Sequence, residues 1–176
     1  LEILNSDLRD GLTGEQQSCL GIAFENAVKL RRLIDDLVDL AALESGTAQI
    51  ELASVFLDDV FDSLQSECQT IAEHKGLRFA IDVSEHLPSV TIDQRRLKDV
   101  LCRLLDNAIR FTPEGGSVSL RTTHDQTRVT IEVVDNGLGI PADRISESFQ
   151  AFVQLHRKPG ENRERYGLGL PLCRRM

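Results

Sequence analysis

No run of this 176-residue chain is apolar enough, for the roughly 20 residues required, to cross a bilayer. Its opening, LEILNSDLRD, has no basic stretch followed by an apolar one, the pattern of a signal peptide. Positive charge is also in deficit. Lys and Arg number 20 against 28 Asp and Glu, leaving a net charge of −8, so a general nucleic-acid binder is excluded for want of a basic stripe. The bases present gather late, between Arg157 and Arg175, which suits an anionic small ligand better than a polymer. The 4 cysteines, at 19, 68, 102 and 173, lie too far apart for a metal-type pair and are too few for a disulfide framework. They read as reduced, mostly buried thiols. There is no internal repeat and no initiator methionine, so a fragment of a longer protein is expected. The hydrophobic share of 41% is that of a soluble globular chain.

Periodicity divides what remains in two. Residues 1–10 read as the end of a helix, and 11–14, GLTG, as a turn. From about 15 to 44, Ala23, Ala27, Leu30, Ile34, Leu37 and Ala41 alternate steps of four and three, while Leu20, Phe24, Leu33 and Leu40 widen the stripe. Ser45-Gly46 is a stop. A helix with so wide an apolar face needs partners. It finds them in a helical hairpin that pairs with a second copy as a four-helix bundle, or in packing against the rest of its own chain.

After Gly46 the pattern changes. Ile50 and Leu52 alternate as a short strand. Residues 57–74 read as a helix with Val60, Leu64, Cys68 and Ile71 on one side, and Leu77, Phe79, Ile81 and Val83 as a strand with one buried face. Asp93 caps a helix running to about Arg110. Val118 and Leu120 open a strand, 124–127 turn, and 129–134 return as the second arm of a hairpin. The second region is therefore α+β, a mixed sheet with helices on one face.

Three segments carry chemistry. DNGLGIP at 135–141 follows the alternating Val129, Ile131 and Val133, so Asp135 stands at a strand end ahead of a glycine turn. A carboxylate there can accept from the exocyclic amine of a purine, with Gly137 and Gly139 allowing close backbone approach. On the helix over 93–110, Leu97, Leu101, Leu104, Ala108 and Phe111 form the apolar stripe, and Arg103, Asn107 and Arg110 a separate one about 100° around the axis. The amide oxygen of Asn107 suits a hard cation such as Mg²⁺, and the guanidinium of Arg110 suits phosphate; a solvated helix face is the plain alternative. Gly167, Leu168 and Gly169 open a helix as phosphate-binding turns do, with Pro171 tolerated in its first turn. Residues 154–165, carrying Lys158, Pro159, Gly160, Arg163 and Arg165, read as a mobile lid.

Taken in order, these segments resemble the motifs of bacterial sensor histidine kinases of two-component signalling, in the GHKL ATPase superfamily. LLDNAIRFTP at 104–113 resembles the N box, DNGLGIP at 135–141 the G1 box, SFQAFVQ at 148–154 the F box and GLGL at 167–170 the G2 box. RLIDDLVDLAALESG at 32–46 resembles the end of the second dimerisation helix, so the likeness covers essentially the whole chain. It implies a partial dimerisation hairpin over 1–46 and, over 47–176, an ATP-binding catalytic domain of the Bergerat-type α/β sandwich. It implies ATP and Mg²⁺ as cofactors, with Asp135 on the adenine amine, Gly137 and Gly139 in the pocket floor, Asn107 on Mg²⁺, Arg110 on phosphate, and Gly167, Leu168 and Gly169 beside the phosphates. The implied reaction is transfer of the γ-phosphate to a histidine, then to the aspartate of a response regulator receiver domain. Implied too are a homodimer, a cytoplasmic location, no nucleic-acid partner, and membrane attachment only through a parent sensor region.

Several positions depart from that pattern. The resemblance places the acceptor histidine in a helix ahead of Leu1, and none of His74, His86, His124 and His156 has its flanks; all four read as structural or surface residues, so the chain is expected not to phosphorylate itself. Strands that complete the family's sheet are expected beyond Met176. Arg103 stands where the N box has its first asparagine, and a cation there either repels Mg²⁺ or engages phosphate. Arg165 replaces the first glycine of the G2 box. Arg103, Arg165 and the missing histidine together motivate an alternative, a non-catalytic nucleotide-sensing or dimerising adaptor controlling a partner kinase. A serine-directed GHKL kinase is opposed by the long helix.

Overall fold

A computed structural model describes residues 13–84, 87–155 and 166–176. The helix end expected over 1–10, most of the 11–14 turn, His86, His156, and the lid residues from Lys158 to Arg165 lie outside these. The first described element is helix α1 (Gly14–Glu44), opened by a capping box in which Thr13 Oγ1 accepts from the Gln16 N–H and Gln16 Oε1 from the Thr13 N–H. Then come β1 (Ala53–Val55), α2 (Leu57–His74), β2 (Arg78–Asp82), β3 (Val90–Ile92), α3 (Gln94–Phe111), β4 (Ser117–His124), β5 (Val129–Asp135), a 3-10 turn (Ala142–Arg144), α4 (Ile145–Ser148) and α5 (Gly169–Arg175).

The main sheet has the order β2-β4-β5, with β2 parallel and β5 antiparallel to β4. Register puts Phe79 beside Val118 and Ile81 beside Leu120, and Leu120 beside Val133. Those side chains share one face with Thr122, Val129 and Ile131 because side-chain direction alternates along a strand. Helices α2 and α3 cover that face; Leu64, Leu105 and Leu120 are fully buried between the layers. The opposite face, with Arg78, Asp82, Arg121 and Glu132, is exposed. This is the expected α+β arrangement, a mixed sheet with helices on one side.

Four details differ from the sequence reading. Ile50 and Leu52 are exposed, and the short strand lies at Ala53–Val55, paired antiparallel with Val90–Ile92. The preceding chain is held extended instead by polar contacts: Asp93 Oδ2 accepts from the Glu51 N–H at 3.0 Å, and Arg96 Nη2 donates to the Gln49 carbonyl at 2.7 Å. On α2, Ala72 rather than Ile71 completes the buried stripe, and Val83 lies exposed past the end of β2. On α3 the buried face is Leu101, Leu105, Ala108 and Ile109, while Leu104 turns toward an open cleft. Both choices satisfy helical spacing, since Leu104 and Leu105 are both apolar; the position of the sheet decides between them. Among the cysteines only Cys68 is buried, and Cys19 is exposed on α1.

The wide stripe of α1 divides between two uses. Leu40, 8% exposed, joins Leu168 and Leu172 in a second small core, with Leu33, Leu43 and Tyr166 around it. That is packing within the chain, onto α5. Leu30 and Ile34, 54% and 51% exposed, carry an apolar edge down the other side that meets no partner among the described residues. No described helix is long and apolar enough to cross a membrane.

Candidate functional site

The end of α3, the turn after β5 and the segment leading into α5 meet around an open cleft of about 1290 Å³, with α1 as its far wall. Asn107, Arg110, Asp135, Gly139, Gly167, Leu168 and Gly169 all line it. Of the eight residues the sequence assigns to ATP, Gly137 alone is absent from the lining. It lies beneath, against the last turn of α3: a Cβ there would come 2.6 Å from the Phe111 carbonyl oxygen. The same oxygen accepts from the Leu138 N–H at 3.2 Å, which ties the turn to the helix. Gly137 is needed for space, and it sets the distance between Asp135 and α3.

Each functional side chain has an identifiable anchor. Asp135 ends β5, exposed, and its Oδ1 accepts from the Gly137 N–H at 2.8 Å. That bond fixes the carboxylate and leaves its second oxygen for a ligand. Asn136 turns back, its Oδ1 accepting from the Ser117 N–H at 2.8 Å, so the turn is pinned to β4 as well. Helix α3 starts where Asp93 Oδ1 accepts from the Arg96 N–H. It is held at its far end by Lys75, whose Nζ donates to the Ile109 and Arg110 carbonyls, both at 2.6 Å. A cation on the last carbonyls complements the helix dipole. Between those anchors Asn107 faces Gly169: a Cβ on that glycine would sit 3.6 Å from Asn107 Nδ2. The Asn107 amide makes no hydrogen bond to any described residue. The Arg110 guanidinium lies over the Phe111 ring, 5.4 Å from its centroid.

Gly167 joins the F-box and G2-box segments. Its φ of +70° is left-handed, and a Cβ would collide with the Val153 carbonyl oxygen, so glycine is required on both counts. Its own carbonyl accepts from the Phe152 N–H at 3.1 Å. Phe152 has φ +67°, a conformation that costs a side-chain-bearing residue about 1 kcal/mol or more. Leu168 is different in kind: fully buried against Leu40 and Leu172, it packs the loop onto α1.

Arg103 neither points bare at the cleft nor stands free for phosphate. Its side chain is 18% exposed; Nη2 meets Asp36 Oδ1 of α1 at 2.7 Å, and Nε meets Asp99 Oδ2 at 2.9 Å. Burial works against its charge, and the hydrogen bonds to Asp36 and Asp99 outweigh that, holding the guanidinium pKa above its ordinary value. The sequence reading weighed repulsion of Mg²⁺ against phosphate contact and did not foresee this pairing; acidic residues on α1 at helical spacing were the available signal. His74 and His124 are exposed and line no part of the cleft. Among the described residues no cluster of three or more His, Cys, Asp and Glu has the makings of a metal site.

Over residues 92–176 the chain matches the family described as histidine kinase-, DNA gyrase B-, and HSP90-like ATPases. It is 34% identical over 152 residues to the alginate biosynthesis sensor protein KinB of Pseudomonas aeruginosa, covering 86% of this chain and 25% of that protein. It is 32% identical over 148 residues to the adaptive-response sensory kinase SasA of Crocosphaera subtropica, covering 84% of this chain and 38% of the relative. Among solved structures, full-length ShkA in complex with AMPPNP superposes with a TM-score of 0.81 at 31% identity, over 93% of this chain and 34% of that one. The chain thus spans under half the length of the curated relatives it matches. Residues 92–176 belong to the histidine kinase-, DNA gyrase B-, and HSP90-like ATPases, and the chain is similar to sensor histidine kinases.

Proposed function

We propose that residues 47–176 bind Mg-ATP in this cleft and deliver its γ-phosphate to a histidine of a helical hairpin to which residues 1–46 contribute. The observation that carries the reading is the convergence of Asp135, Asn107 and Gly169 on one cleft from three separate segments. Asp135 accepts from the adenine amine through the oxygen not engaged by Gly137. Gly139 shapes the purine end, and Gly137 holds the floor to α3. Arg110 holds phosphate oxygens, and Gly167, Leu168 and Gly169 run beside them. The Asn107 amide, unengaged and next to Gly169, fits Mg²⁺, and the charge of Arg103 is balanced by two carboxylates and does not oppose a cation. Mg²⁺ would supply charge neutralisation across the phosphates.

In the transfer, the imidazole nitrogen forms a P–N bond as the bond from the γ-phosphorus to the bridging oxygen breaks, and ADP leaves with that electron pair. The phosphoryl group then passes to the aspartate of a response regulator receiver domain. The exposed edge of Leu30, Ile34 and Leu37 supports a homodimer through the hairpin. We place this region on the cytoplasmic side, where ATP is available. The adaptor alternative loses one of its grounds, since Arg103 is neutralised.

Titration with a fluorescent ATP analogue, with and without Mg²⁺, tests the reading. The parent chain should bind saturably and be competed by ATP; Asp135→Ala should lose binding, and Asn107→Ala its metal dependence. A folded parent chain that binds no nucleotide would favour the adaptor.

A further inference from the structure

The contacts between α1 and the rest of the chain are of two kinds. Leu40 against Leu168 and Leu172 is apolar: it holds the two elements in contact but, being non-directional, does not by itself fix the angle between them. Arg103 is directional. Its planar fork grips a carboxylate of α1 with one nitrogen and a carboxylate of α3 with another, at 2.7 and 2.9 Å, with the side chain largely withdrawn from water. Such geometry is satisfied over only a narrow range of angles between the two helices. The outlying Arg175–Glu44 pair, at 2.9 Å, is about half exposed at both ends and adds little.

We infer that Arg103 is a positioning residue for phosphoryl transfer: through Asp36 and Asp99 it sets the angle at which the cleft faces helix α1. The asparagine usual at this place in the family cannot do this, because its short amide carries no charge and does not span to a neighbouring helix. The position where the family's N box has its first asparagine here serves the joint between the ATP-binding region and helix α1. Its consequence for transfer rests on the functional reading above; the joint itself does not.

The test is a distance measurement. Spin labels go on Cys19, which is exposed on α1, and on Thr130→Cys, on the exposed face of β5, with Cys102 and Cys173 replaced by alanine. Labelled chain is diluted in unlabelled chain so that only intramolecular distances are read. The parent should give one narrow distribution without nucleotide. Arg103→Asn should broaden it, lowering the population at the parental distance roughly five-fold, between the effects expected of exposed and buried pairs. Asp36→Asn leaves Arg103 its Asp99 partner and should broaden the distribution equally, and the double variant should add nothing. Arg103→Lys, which keeps the charge but loses the planar fork, should recover only part of the narrow peak, more than Arg103→Asn does. Single variants with the parental distribution, or a double variant whose broadening is additive, would overturn the inference. The readout needs no nucleotide, so failure of the joint and failure of ATP binding are separately visible.

Discussion

Gly137→Ala is the substitution whose outcome the structure dictates most directly. The added Cβ would stand 2.6 Å from the Phe111 oxygen, 2.9 Å from its carbonyl carbon and 2.8 Å from Asp135 Oδ1, where ordinary contact begins at 3.4 Å. One of the two backbones must therefore retreat by about 0.8 Å. Helix α3 is fixed by its buried face and by Lys75, so the turn after β5 is the part that moves. Its retreat gives up the Leu138 N–H to Phe111 bond and strains the Gly137 N–H to Asp135 bond. With about 1 kcal/mol for each and overpacking strain of similar size, the expected loss of stability is about 2–4 kcal/mol. If the strain stays local instead, Asp135 is misplaced, and losing its charged hydrogen bond to a ligand, worth about 1.5–3 kcal/mol, costs on the order of 10- to 100-fold in affinity. Urea denaturation reads the first effect and titration of a fluorescent ATP analogue the second. The chain has no tryptophan, so the analogue is followed without a protein tryptophan background. Gly139 is the control: it has φ +64° with nothing within 4 Å of a Cβ, so Gly139→Asn, which tolerates the left-handed region, should be nearly neutral in stability. Gly137→Ala with parental stability and parental affinity would refute the account of the floor.

Leu172→Ala should cost about 2–3 kcal/mol in urea, the lower part of the range for buried leucines, because its cluster is small. It should also increase exchange of α1 amides around Leu40, since those residues pack together. Thiol labelling at pH 7.5 should modify Cys19 quickly and leave Cys68 and Cys173 slow, because burial pushes both of those thiols up to about 11. Asp93 has its carboxyl held below the usual range by hydrogen bonds from the Glu51 and Arg96 N–H groups. Its charge therefore adds stability that is full above about pH 4 and is lost as pH falls through the lowered folded value. Asp93→Asn should flatten this acid limb; a parental acid profile would remove Asp93 from the account.

Much of this was legible in the sequence because the signals were local. The bounds of α2 follow from its apolar spacing and Lys75-Gly76, those of α3 from the Asp93 cap, and those of the β4–β5 hairpin from strict alternation. All four motif segments contribute residues to the lining of one cleft. What failed was whatever depended on a neighbour distant in sequence. Leu104 and Leu105 are equivalent to a helical wheel, and only the sheet chooses between them. Ile50 and Leu52 alternate like a strand but meet nothing apolar, so polar bonds to Asp93 and from Arg96 set that segment's path. Gly137 looked like pocket lining because its motif is one; its closeness to Phe111 is a tertiary fact.

The division of α1 follows from the same limit and bears on mechanism. Heptad spacing declares a wide apolar face but cannot assign its edges. Here the edge with Leu40 is committed to Leu168, which lies between the two glycines proposed to flank the phosphates. The other edge, with Leu30 and Ile34, is uncommitted. One rigid helix thus touches the candidate phosphate loop on one side and, in the homodimer proposed above, faces a second chain on the other. A shift of α1 in the proposed bundle must either carry Leu168 along or break the Leu40–Leu168–Leu172 cluster, which is buried and adjusts poorly. Coupling between the bundle and the cleft is then reciprocal: if movement of α1 changes nucleotide affinity, nucleotide must favour one setting of α1 by the same factor. Leu40→Ala cuts that link while leaving both ends intact. It should leave nucleotide affinity within about three-fold and make it independent of association state, measured by titration above and below the dimerisation concentration. Dependence retained in Leu40→Ala would mean that the connection runs elsewhere, with the Arg103–Asp36 pair as its remaining route.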